Sequence, residues 1–163
     1  MGNKCEANDL QSILQNEVNE TEKEKLLFAF SRNPDDPLTA YCCAAIHDKL
    51  GYEQEAVPFY LKSLENGISG NERIGAFLGL GSTYRTLGKY EKSAEILIRG
   101  VKEFPEANEL KVFYTMTLYN LGSHKEAVQE LLKLLDETTK DEAILSYRRA
   151  IRFYADDLDK TWE

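Results

Sequence analysis

Cysteine, proline, tryptophan and histidine are all scarce in this chain, at 3, 4, 1 and 2 among 163 residues. Cys42 and Cys43 are adjacent, and neighbours in a helix cannot reach disulfide geometry without breaking it. So few cysteines, so placed, exclude a disulfide framework and read as free thiols. Positive charge is also short: Lys and Arg number 20 against 28 Asp and Glu, a net charge of −8. A chain this acidic repels a phosphate backbone, which argues against nucleic acid. Its densest basic set, Arg148, Arg149 and Arg152, is too small to offset the acids. No apolar run approaches the roughly 18 residues a membrane helix needs. Residues 1–20 lack the apolar core of a secretory signal, and Glu6 stands where a myristoylated start requires Ser or Thr. The expected location is the cytoplasm, with no membrane partner.

What is present is helical periodicity, repeated. Hydrophobic residues make up 42% and charged residues 29%, a folded rather than a disordered composition. Three turns share a pattern: Leu50-Gly51-Tyr52, Leu87-Gly88-Lys89 and Leu121-Gly122-Ser123, their glycines 37 and 34 residues apart. Each follows one apolar stripe and precedes another. Phe77, Leu80, Tyr84 and Leu87 face Ala94, Leu97, Ile98 and Val101 across the second turn. Leu110, Phe113, Tyr114, Leu118 and Leu121 face Val128, Leu131, Leu132 and Leu135 across the third. Spacings of three and four place each set on one helix face. No stretch alternates long enough for a strand.

The punctuation agrees. Pro34 and Pro37 bracket a turn before the first pair, and Pro105 stops the second. Ser69 to Glu72 have the form of a capping box, and the three extra residues of the first spacing are expected in the loop at residues 66–70. Asp141 caps a last helix carrying Ile144, Tyr147, Ile151, Tyr154 and Leu158 on one side. Leu10, Ile13, Leu14 and Val18 suggest a short N-terminal helix, and Thr21 opens another with Leu26, Leu27 and Phe30. Trp162 either docks on the last helix or frays. Gly75, Gly79 and Gly81 lie inside a helical stripe with no preceding strand, so they read as close helix packing rather than a phosphate loop.

A helix–turn–helix unit of this length resembles the tetratricopeptide repeat. The matching residues are Phe77, Leu80-Gly81, Tyr84, Gly88, Leu97 and Pro105 in the second unit, with Ser93 replacing the usual alanine. Ala44, His47, Gly51, Ala56, Tyr60 and Leu64 match in the first, and Tyr114, Leu118, Gly122, Ala127, Leu131 and Leu135 in the third. The third has Thr139 where the exit proline belongs. Residues 78–88 and Tyr147-Arg148-Arg149-Ala150 look like a group of short, uncharacterised bacterial members. The resemblance implies an all-α, right-handed α-solenoid of about three helix hairpins. Its expected divisions are an N-terminal helical segment at residues 1–36, units at 37–70, 74–107 and 108–141, and a C-terminal capping helix and tail at 142–163.

The resemblance further implies a concave wall formed by the first helix of each pair, with a protein or peptide as partner. The inward positions are Tyr41, Cys42 and Ala45; Leu78, Gly79, Ser82 and Arg85; and Phe113, Met116, Tyr119 and Asn120. The last helix adds Arg149, Arg152 and Phe153. Two readings of Arg85, Arg149 and Arg152 stand: they hold a partner carboxylate, or they pair with nearby Asp and Glu. A terminal-carboxylate clamp of Lys and Asn does not fit, because its positions hold Tyr41, Cys42 and Ala45. An alternative function is a self-assembling scaffold, the groove filled by the chain's own N-terminal helices or by a second copy in a homodimer.

Enzyme signals are thin. Cys43 and His47 lie four apart on one helix face, a spacing that suits two metal ligands or a nucleophile and its base. A structural zinc wants four ligands, and both residues are expected to face the second helix of the hairpin. His124 sits in an exposed turn. Glu20, Glu22 and Glu24 suit a helix start and Asp156, Asp157 and Asp159 a solvated end. Neither catalysis, metal nor cofactor is expected.

Overall fold

Short polar side chains start the first helices. In the computed structural model, which describes residues 18–162, the Asn19 side chain accepts from the Glu22 amide at 3.1 Å and opens α1 (Glu20–Arg32). Asp36 accepts from the Thr39 amide at 2.7 Å and opens α2 (Pro37–Lys49). An oxygen at the cap satisfies an amide with no partner in the first turn, and proline at the first position gives up nothing there. Seven helices follow: α3 (Glu53–Glu65), α4 (Gly70–Thr86), α5 (Tyr90–Glu103), α6 (Asn108–Asn120), α7 (His124–Thr138), α8 (Glu142–Ser146) and α9 (Arg148–Asp156). No strand occurs among the described residues. The helix expected around Leu10, Ile13 and Leu14 lies outside them, as does Cys5.

The three expected turns join α2 to α3, α4 to α5 and α6 to α7. Gly51, Gly88 and Gly122 have φ of 82°, 70° and 83°. A side chain in this left-handed region costs about 1–2 kcal/mol, which glycine avoids.

Each helix from α1 to α7 packs on the next, and the first helices of the pairs also touch directly, α2 with α4 and α4 with α6. The second helices α3, α5 and α7 stand further apart. This asymmetry bends the stack and puts α2, α4 and α6 on its inner side. One core runs through the hairpins, from Ala44 and Tyr60 through Phe77, Leu80 and Leu97 to Leu110. A second cluster joins Leu26 of α1 to Cys42, Cys43 and Ile46. Helix α1 thereby covers the open end of the first hairpin.

Three expectations need correction. The loop at residues 66–69 is no longer than the one at 104–107; the extra residues lengthen α4, which has 17 residues against 13 in α2 and α6. Arg73 secures that added turn by donating to the Leu64 and Ile68 carbonyls at 3.3 and 3.2 Å and pairing with Glu103 at 2.5 Å. Ser69 is the N-cap of α4, but its side chain makes no capping bond. The last helix is broken at Tyr147 into α8 and α9, although Asp141 caps it as expected, accepting from the amides of Ala143 and Ile144.

Candidate binding surface

The inner wall is built on close helix approach. Glycines at positions 75 and 79 let α4 lie against aromatic rings: a Cβ on Gly75 would meet the Tyr41 hydroxyl, and one on Gly79 the Tyr60 ring. Tyr60 also donates to Asp48 Oδ2 at 3.3 Å, and Thr83 donates to Asp48 Oδ1 at 3.1 Å. Burial raises the Asp48 carboxyl above its ordinary range, and these two hydroxyls pull it partly back. Between the next two units, Ser93 Oγ donates to the Gly81 carbonyl at 2.7 Å and lies 2.9 Å from the Thr117 hydroxyl, which also reaches the Phe113 carbonyl at 3.1 Å. A polar bridge was not legible in the sequence, where Ser93 reads only as a small residue.

On this base Tyr41, Leu78 and Phe113 are half-buried, packed on the core with their remaining surface outward. Ser82 and Arg85 are half-buried on α4. Arg85 Nε donates to Asn120 Oδ1 at 2.7 Å, so the structure joins two of the expected residues directly. Among the described residues Arg85 makes no ion pair with a carboxylate. Met116 and Tyr119 are exposed near the end of the stack, Tyr119 with its ring 4.7 Å from that of His124. Cys42 is a correction: it is fully buried against Leu26 and does not reach the wall.

The C-terminal arginines are placed elsewhere. Helix α9 packs on α7, and Asp136 there receives Arg148 Nε at 2.7 Å and Arg152 Nε at 2.6 Å. For Arg152, pairing with an acid is therefore the reading the structure supports. Arg149 is exposed on α9. Trp162 stacks on Phe153, ring centres 5.9 Å apart. A cleft of about 190 Å³ opens between α5, α6 and α7, bordered by Ile98, Tyr114 and Leu134; it includes none of the expected wall residues.

The two arginines, Arg152 foremost, hold the Asp136 carboxyl below the usual carboxylate range. A folded-state pKa below the unfolded one contributes stability that is present above the unfolded value, about 3.9, and lost as pH falls through the folded one. Anchoring of α9 should accordingly be constant from pH 7 to 5 and fail in stronger acid. Asp136→Asn should free α9 at pH 7, seen as faster tryptic cleavage after Arg148 and Arg152. Unchanged cleavage in the variant would refute the anchor.

The Cys43–His47 pair is packing. His47 is buried, its Nδ1–H donating to the Cys43 carbonyl at 2.6 Å and its ring 5.1 Å from that of Phe59. Burial pushes the Cys43 thiol up to about 12, far from a reactive thiolate. Among the described residues no cluster of His, Cys, Asp or Glu has metal-site geometry. An aqueous alkylating reagent should leave Cys42 and Cys43 unlabelled in the native protein and modify both in urea, read by peptide mass spectrometry. Native labelling of Cys43 would contradict its burial.

Stacked antiparallel helix hairpins with an inner layer of first helices define an α-solenoid repeat protein. The family model described as tetratrico peptide repeat matches residues 37–158, and the chain belongs to that family. No curated protein matched the chain. The family is a non-catalytic repeat scaffold whose members generally mediate protein–protein interaction. No helix among the described residues is long and apolar enough to cross a membrane.

Proposed function

We propose that this chain is a cytoplasmic adaptor that holds an extended peptide or a partner helix along α2, α4 and α6. The observation that carries the reading is Arg85, a half-buried arginine on an acidic protein, its guanidinium held by Asn120 and making no ion pair among the described residues. Its remaining donors suit a carboxylate on the partner. Leu78 and Phe113, each two turns earlier on α4 and α6 than Arg85 and Asn120, supply apolar contact. Arg149 stays a candidate for a peripheral contact, whereas Arg152 would have to leave Asp136 to join one.

Peptides selected from a display library on the full chain provide the test. Calorimetry should show binding to the wild type and at least tenfold weaker binding to Arg85→Ala combined with Phe113→Ala, with helicity unchanged. Undiminished binding by that variant would reject the wall. The scaffold alternative in which the N-terminal helices fill the groove is not favoured by α1, which packs on α2 at the end of the stack.

A further inference from the structure

The end of the solenoid exposes a face that its earlier repeats bury. Val128, Leu131 and Leu135 of α7 stand 34 residues after Ala94, Leu97 and Val101, which stand 37 after Val57, Tyr60 and Leu64. In the first unit this face meets the next repeat: the Tyr60 ring lies on Gly79 and is 3% exposed. In the second, Leu97 is fully buried. In the third, Val128, Leu131 and Leu135 are 45%, 43% and 38% exposed. The following helix does not cover them, because α9 is fastened through Gln129 and Asp136 and the residues just after it through Lys125, all on another face of α7.

We propose that this face binds its counterpart on a second copy of the chain, two α7 helices pairing antiparallel about a twofold axis near Val128 and Leu131. Two features point to a second copy. First, His124, Val128, Leu131, Leu135 and Thr138 recur at spacings of four and three, the seam of paired helices, and such a stripe is complementary to itself when reversed. Second, the seam carries no Lys, Arg, Asp or Glu, although α7 holds six such residues on its other faces. Chains of net charge −8 repel one another, so self-association needs a surface free of acids, and this stripe is one. A dissimilar partner would be selected by charges around the contact, and the seam offers none. This surface is separate from the wall at Leu78, Arg85 and Phe113, so a dimer would present two binding walls.

Sedimentation equilibrium on the full chain over a wide concentration range tests this. The wild type should approach twice its 18.6 kDa monomer mass as concentration rises. Leu131→Glu, at an exposed position, should keep its circular dichroism and weaken dimerisation at least about 100-fold, the effect of an unpaired charge in a buried contact. Phe28→Glu, on exposed α1 surface far along the chain, should dimerise like the wild type. A wild type that stays monomeric throughout would overturn the proposal, whatever else covers the stripe. So would a dimer indifferent to Leu131→Glu, or one abolished by Phe28→Glu.

Discussion

Phe77→Ala is expected to cost about 3–5 kcal/mol of folding stability. Phe77 is buried at the middle of the stack, its ring centre 6.5 Å from that of Phe104. Gly100 lies against its Cβ, and the guanidiniums of Arg73 and Arg99 lie 5.2 and 5.8 Å from its ring centre. Neighbours on rigid helices cannot collapse into the space it leaves, so the loss includes a cavity as well as transfer. The whole domain has about 5–15 kcal/mol to lose. A repeat array is held only by contacts between neighbours, so weakening the middle unit uncouples the outer two. Urea unfolding should show a lower midpoint and a broader transition. A loss under about 1 kcal/mol would mean that Phe77 does not hold the centre.

Gly79→Ala should destabilise the protein even though alanine favours helix by about 1 kcal/mol over glycine. The added methyl enters the Tyr60 ring, which is buried and tied to Asp48. Overpacking of this kind costs about 1–3 kcal/mol, and displacing the ring endangers a hydrogen bond of about 1 kcal/mol. The conflict outweighs the propensity gain because the obstacle is a ring between two helices, not the end of a mobile chain. In a Tyr60→Leu background the cost should vanish or reverse, since the obstacle is gone. Additive effects of the two changes would show that α3 and α4 do not meet at this point.

The hairpins are readable because signals coincide: glycine at each turn, apolar residues at spacings of three and four, and proline before the first unit and after the second. Asp36, Asp141 and Pro37 did locally what their chemistry dictates. Errors arose where distant contacts decide. Arg73 extends α4 by reaching Leu64, Ile68 and Glu103, and no local pattern announces that. Asp136 draws α9 onto α7 through Arg148 and Arg152, a match visible only when the two helices meet. Cys42 departs from its expected inward position because apolar residues surround α2, and their phase does not say which side α1 covers. For the wall, the resemblance to the repeat family places Arg85 and Asn120 on the first helices of neighbouring units; their contact across 35 residues is a product of the stacking and has no local signal.

The most direct test of the account is an amide NMR titration of the full chain with a peptide selected for binding. The shifts should cluster on α2, α4 and α6, around Tyr41, Leu78, Ser82, Arg85 and Phe113, and leave the outer helices α3 and α5 unmoved. Shifts confined to α3, α5 or the cleft beside Ile98 and Tyr114, with Arg85 unaffected, would contradict it.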